Sequence, residues 1–206
     1  MGLVNSRWPA VMEWGATSDV ALTAGSWPFQ LVFIRSQLCA CGGRFEVGAH
    51  RVVPRGDDTL ERHAVTCRRC GVHRAFWFDI GTFHNDPQAS LRFEELRVLF
   101  QEGMAQVEEG DLDAARLRFK EVAAREPWFG LAHYHLGMIA LVADDFDRAR
   151  EYLAAAAAIL PMDPNVHLAL ADLWSLLADE ERELRARDVA ETLEMMVEVD
   201  APDDGE

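Results

Sequence analysis

EGDLDAARLRFKEVAAREP at residues 109–127 is answered 34 residues later by ADDFDRAREYLAAAAAILP at 143–161. Asp111 meets Asp145, Ala115 meets Ala149, and Pro127 meets Pro161 at the same step. Upstream, Gly103 meets Gly137, and the larger apolar positions pair Leu112 with Phe146, Phe119 with Leu153 and Phe100 with Tyr134. A fixed interval of this size marks one supersecondary unit used more than once. Each copy opens on a polar turn whose Asp can cap a new helix. LRFKEVAA and EYLAAAAAIL then combine strong helix propensity with an apolar stripe.

The pattern resembles the tetratricopeptide repeat, a helix–turn–helix unit of 34 residues. The resemblance implies that Gly103, Ala115, Gly137 and Ala149 sit where two helices cross closely, and that Pro127 and Pro161 close their units. A third unit starts at Pro164, with Leu168, Leu170, Ala171 and Trp174 in phase. Its second helix, EERELRARDVAETLEMM, carries Glu183 where a small residue belongs, yet Ala186, Val189, Ala190, Leu193 and Met196 keep one apolar face. That is the composition of a capping helix, which a repeat stack needs for solubility.

In the family the first helix of each unit lines a concave groove. Carried onto this chain, the partner-binding groove is Phe100, Met104, Val107, Tyr134, Met138, Leu141 and Leu168. It is apolar, aromatic and rich in methionine, which adapts to varied partners, and it suits apolar recognition of a protein or peptide. The Lys, Arg and Asn set with which some members clamp C-terminal carboxylates is missing. Whether the stripe is open, or covered by the N-terminal segment, the cysteine region or a second copy, stays open at this point. Two and a half repeats are few for a free-standing stack, which leaves homodimerisation or docking on the cysteine region as ways to complete it.

All four cysteines lie ahead of the repeats, in LCACGGRFEV (38–47) and VTCRRCGV (65–72). Cys39 and Cys41 form C-x-C, and after 25 residues Cys67 and Cys70 form C-x-x-C. In a reducing compartment such paired knots read as a metal site rather than as disulfides. Four thiolates suit tetrahedral Zn(II), and a closed four-sulfur shell marks a structural ion. Gly42, Gly43 and Gly71 permit the tight turns the knots need. RFEVGAHRVV, LERHAVTC and HRAFWFDI read as strands around the turn-rich PRGDDT. The region 36–84 resembles a zinc ribbon, with C-x-C in place of the more usual C-x-x-C at its first knuckle. The spacing is also similar to that of the redox-regulated heat-shock holdase, in which oxidation expels zinc and unfolds a client-binding segment. His50, His63, His73 and His84 are expected on the surface of this sheet, since four cysteines already complete a shell.

The expected fold is therefore α+β: a small antiparallel zinc ribbon (36–84) followed by an all-α repeat domain with a capping helix (85–197). An N-terminal arm of uncertain structure (1–35), an extra strand or a packed arm, precedes them, and a disordered acidic tail (198–206) follows. Residues 1–90 carry 9 Lys+Arg against 8 Asp+Glu, and the remainder 11 against 27, within a total of 20 and 35. The acidic repeat half repels phosphates, which argues against nucleic acid. Only the arginines around the cysteines keep that as a weaker alternative. No apolar run reaches a bilayer-spanning length, and no secretory signal opens the chain, so a cytoplasmic location is expected. There is no Gly-rich phosphate loop, no G-x-S-x-G and no H-E-x-x-H. The expected function is a non-enzymatic adaptor for a protein or peptide partner, with a redox-switched zinc holdase as the alternative.

Overall fold

The computed structural model of the chain describes residues 15–199. Its N-terminal part is a four-stranded sheet with one helix laid on it. The strands are β1 (Leu22–Thr23), β2 (Phe45–Arg55), β3 (Asp58–Cys67) and β4 (His73–Asp79), in spatial order β1-β4-β3-β2. The β2–β3 and β3–β4 pairs are antiparallel, and β1 lies parallel to β4. Helix α1 (Trp27–Ser36) sits between β1 and β2 in sequence. Ser26 starts it by accepting a hydrogen bond from the Phe29 N–H, with Pro28 in the first turn, where no donor is lost. The segment expected as an arm of uncertain structure thus contributes, from residue 22 on, a strand and a helix. Residues 1–14 and 200–206, which include most of the acidic tail, lie outside the described residues.

Six further helices follow: α2 (Ala89–Glu109), α3 (Leu112–Arg125), α4 (Gly130–Val142), α5 (Phe146–Ile159), α6 (Pro164–Leu176) and α7 (Glu180–Val199). They pack as the pairs α2/α3, α4/α5 and α6/α7. The aspartates expected as caps do cap. Asp111 accepts from the Ala114 N–H at 3.0 Å and Asp145 from the Arg148 N–H at 3.3 Å. The turns repeat in detail, since Gly110, Asp144 and Ala178 all hold positive φ, at 81°, 55° and 54°. Close crossing explains the small residues. A Cβ on Gly103 would lie 2.8 Å from a Phe119 ring carbon, and one on Gly137 2.6 Å from Leu153 Cδ2. The last helix buries Ala186, Ala190 and Leu193 on one face and leaves its other face charged. Among the described residues no helix is long and apolar enough to cross a membrane.

One apolar cluster runs from the sheet into the repeats, and α1 is its bridge. Phe33 of α1 meets Phe76 and Phe78 of β4 edge-on, with ring centroids 6.1 and 5.9 Å apart. On its other side Phe29 packs on Phe93 of α2 and on Phe129 ahead of α4. Polar contacts fix the placement. The Gln37 side chain donates to the Ile159 carbonyl at 2.9 Å, and the Gly25 N–H donates to the Glu126 carboxylate at 3.0 Å.

The face of the sheet under α1 is not purely apolar. Glu61 and His63 of β3 are buried there, with Gln30 of α1. His63, expected on the surface, is 4% exposed because it shares the inward phase of Val65 and Cys67. Burial raises the Glu61 carboxyl, but the imidazoles of His63 and His50 outweigh it and hold the group below its ordinary value.

Glu126 is the reverse case. It is 2% exposed, and burial pushes its carboxyl up to about 7, only partly offset by the Gly25 N–H. The native state therefore binds this proton more tightly than the unfolded chain, and its stabilising share is lost as pH rises from the ordinary carboxyl range through 7. The loss is on the order of 3 kcal/mol. The Glu126→Gln variant should gain stability relative to wild type as pH is raised from 5 to 8, read as denaturant midpoints. A pH-independent difference would contradict the assignment.

Candidate metal centre

Two tight turns face each other at one end of the sheet. The first lies between α1 and β2 and carries Cys39 and Cys41. Its backbone closes through Gly42 N–H to the Cys39 carbonyl at 2.8 Å and Cys39 N–H to the Gly43 carbonyl at 2.9 Å. The second joins β3 to β4, with Cys67 as the last residue of β3 and Cys70 in the turn. It closes through Gly71 N–H to Cys67 O and Cys67 N–H to Val72 O, both 2.9 Å. Gly42 and Gly71 take φ of 85° and 72°, the left-handed turn that a side chain disfavours. The Arg68 N–H bonds the Arg44 carbonyl at 3.0 Å and ties the turns together.

The four Sγ atoms lie within 4.8 Å of one another. Cys41 and Cys67 are 3.5 Å apart, and Cys39 and Cys70 are 3.7 Å apart. A tetrahedral ion at about 2.3 Å from each sulfur sets the sulfurs about 3.8 Å apart, and a disulfide needs about 2.05 Å. The thiols are accordingly free, at a spacing that can hold one metal ion. Their environments differ. Burial raises the Cys67 thiol, but the Cys70 and Arg69 backbone N–H groups pointed at its sulfur bring it down to about 7. Burial pushes Cys41 up to about 12. Four thiolates this close repel one another, so only a cation makes the fully ionised set stable. Four sulfur ligands leave no open position for a reacting water. Cys39 and Cys67 are buried and Cys70 is exposed.

The seven groove positions fall on the first helices of the three pairs. Phe100, Met104 and Val107 lie on α2, Tyr134, Met138 and Leu141 on α4, and Leu168 on α6. All are half-buried except Leu141, which is buried in a second cluster with Leu153 and Leu173. Phe100 packs its ring on Phe119, Phe129 and His135, at 5.1 to 5.7 Å between centroids. One turn beyond Met138, Val142 is 68% exposed, and Leu176, on the equivalent stripe of α6, is 58% exposed. The apolar face therefore continues past the seven expected residues toward the C-terminal ends of α4 and α6. Sequence reasoning also missed the inward pair Glu61 and His63, which meet the exposed His50. The available signal was the two-residue phase that leads back from Cys67 through Val65 and His63 to Glu61.

Residues 106–173 match the family model of the tetratricopeptide repeat, so the chain contains repeats of that kind. Three solved structures are similar to part of the chain. A CopN-Scc3 complex is 16% identical, with 57% of this chain and 79% of that chain covered and a TM-score of 0.46. The type III secretion translocator chaperone SycD of Yersinia enterocolitica is 15% identical, with 53% and 80% covered and a TM-score of 0.48. A type III secretion complex from Aeromonas hydrophila is 18% identical, with 52% and 80% covered and a TM-score of 0.44. No curated protein matches the chain.

Gly43 tests the geometry of the cluster. A Cβ there would lie 2.5 Å from the Arg69 Cβ and 2.8 Å from the Cys67 sulfur. Gly43→Ala should cost about 1–3 kcal/mol of stability and lower the metal affinity of the cysteine set. Thermal midpoint and bound zinc per chain report both effects, and no change in either contradicts the described packing.

Proposed function

We propose that this protein is a non-enzymatic adaptor. Cys39, Cys41, Cys67 and Cys70 hold a structural Zn(II) in a zinc-ribbon-like domain of residues 36–84. The repeats of 85–197 present a groove to a protein or peptide partner. The reading rests on one observation: a four-sulfur cluster at zinc spacing is joined, through a shared core, to tetratricopeptide-like pairs, two of whose first helices expose an apolar residue, Val142 and Leu176. When bound, the metal supplies cross-linking between the two turns and no open ligand position. The residues themselves set the turns, aim backbone N–H groups at sulfur and keep Cys39 and Cys67 away from water. On the groove, Tyr134, Met138 and Val142 share one stripe of α4 by their four-residue spacing, and Met104 lies on α2. Their apolar character suits the apolar face of a partner helix or an extended apolar segment.

The test is affinity purification with mass spectrometry, wild type against Met104→Ser/Tyr134→Ser/Met138→Ser/Val142→Ser. A partner retained by wild type and lost by the variant, with its helical signal intact by circular dichroism, supports the groove. Identical recovery by both proteins counts against it. Zinc should be present at one ion per chain in the cysteine site, and Cys39→Ser/Cys70→Ser should lower both its content and the thermal midpoint.

A second reading, a redox-switched holdase, is favoured by one feature. Cys70 is exposed beside a Cys67 thiol brought down to about 7, which makes this end of the cluster open to oxidants. Two thiols and one peroxide would give a disulfide and two waters, with loss of the ion. Mild peroxide should then release zinc and increase suppression of client aggregation. Zinc content that does not change under peroxide ends this reading.

A further inference from the structure

The hairpin that ends in the cysteine cluster carries another set of converging donors along its length. Register places His50 of β2 opposite His63 of β3. Glu61 lies two residues from His63, on the same face of β3. The bulge between Val47 and His50 interrupts the ladder immediately before His50 and alters local twist there. One donor atom from each of the three residues lies within 4.8 Å of the others. His50 Nδ1 meets one Glu61 oxygen, and His63 Nε2 stands 3.5 Å from the other. Gln30 of α1 closes the set, its side-chain oxygen 2.6 Å from His63 Nε2.

Hydrogen bonding within the set is incomplete. Glu61 Oε2, His63 Nδ1 and Gln30 Nε2 are buried and find no hydrogen-bond partner among the described residues. Buried polar groups in folded proteins are almost always paired with protein, water or an ion, and each orphan costs about 1–3 kcal/mol. Of the three, Glu61 Oε2 has free lone pairs for an ion and belongs to a fully buried carboxylate, whereas His63 Nδ1 and Gln30 Nε2 are the second atoms of groups that reach the set through Nε2 and Oε1. Two imidazoles, a carboxylate and an amide oxygen suit first-row transition ions better than calcium or magnesium, which prefer all-oxygen shells. An ion at about 2.1 Å from each donor sets neighbouring donors roughly 3 to 4 Å apart; the Glu61–His63 separation is in that range, and the closer His50–Glu61 and Gln30–His63 pairs, now hydrogen-bonded to each other, open to admit the ion. The Trp27 ring stands edge-on to His50 with centroids 6.4 Å apart, and Phe78 is edge-on to His63 at 5.6 Å. Access is one-sided, because the His50 side chain is 60% exposed while Glu61 and His63 are at 0% and 6%.

We propose that His50, Glu61 and His63, with Gln30 as fourth donor, form a second metal site on the α1-covered face of the sheet, selective for a divalent transition ion of the zinc class. It is distinct from the cysteine cluster in donors and in place. The sulfur site is a closed shell, whereas this one opens to solvent at His50.

The test uses the full chain, stripped by chelation and titrated with Co(II). Optical spectra separate the sites, since sulfur ligation gives intense charge-transfer bands and nitrogen/oxygen ligation does not. Wild type should take two equivalents, only one of them with sulfur bands. His50→Ala removes the most exposed of the three side chains, and, with its fold checked by circular dichroism, should take one equivalent with the sulfur bands intact. Cys39→Ser/Cys70→Ser should lose those bands and keep the equivalent that lacks them. A wild-type chain that takes one equivalent in all, or a His50→Ala chain that takes two, overturns the second site. Failure of the sulfur bands alone bears on the cysteine centre and leaves this result readable.

Discussion

Helix α1 is buried from two sides at once, and the rest of the structure is arranged around that demand. Its ten residues must offer Phe33 to the sheet and Phe29 to the helices while keeping a polar atom, on Gln30, in between. A single small sheet, with one of its four strands only two residues long, cannot bury enough apolar surface to stand comfortably alone. The repeats for their part expose the N-terminal half of α2 and the loop before α4. Laid between them, α1 gives both a common core. The Gln37 and Glu126 hydrogen bonds, over sequence separations of 122 and 101 residues, then fix its position.

The same economy explains why the polar chemistry gathers on the sheet rather than in the repeats. A helix satisfies its own backbone, so the repeat pairs need only small residues at crossings and aspartate at turns. The β2–β3–β4 meander ends in turns whose N–H groups point at sulfur. Its covered face carries Glu61 and His63, which an apolar environment tolerates only when paired. The cysteine cluster thus lies at the end of the sheet where β2 begins and β3 ends, and the imidazole–carboxylate set lies along the same two strands. Cys70 is exposed in the first and His50 in the second.

Much of this was legible in the residues themselves. The repeats were, because a period of 34 couples several independent requirements: cap, small crossing residue, buried ring and closing proline all recur together. The three strands were, because apolar and aromatic alternation was bounded by glycine-rich knots. Helix α1 was not. WPFQLVFIRS is apolar on nearly every side, since it is covered on two, and so it shows no 3.6-residue contrast; only Ser26 and Pro28 announced it. His63 was misplaced for a related reason. A histidine in a strand is ordinarily a surface residue, and the phase inherited from Cys67 outranks that preference.

What the sequence by itself determined is local: where helices start, where turns fall, which four sulfurs belong together and which residues recur. Those follow from interactions over a few residues, or from a repeated pattern that needs no partner to be seen. What only the tertiary structure decided is who meets across long distances. It set Gln30 of one helix against His63 of a strand, Glu126 of a repeat against Gly25 of a loop, and His50 beside Glu61 across a bulged ladder. Such meetings depend on register and on how α1 is shared between two surfaces. Burial fixes them only once the whole core has closed.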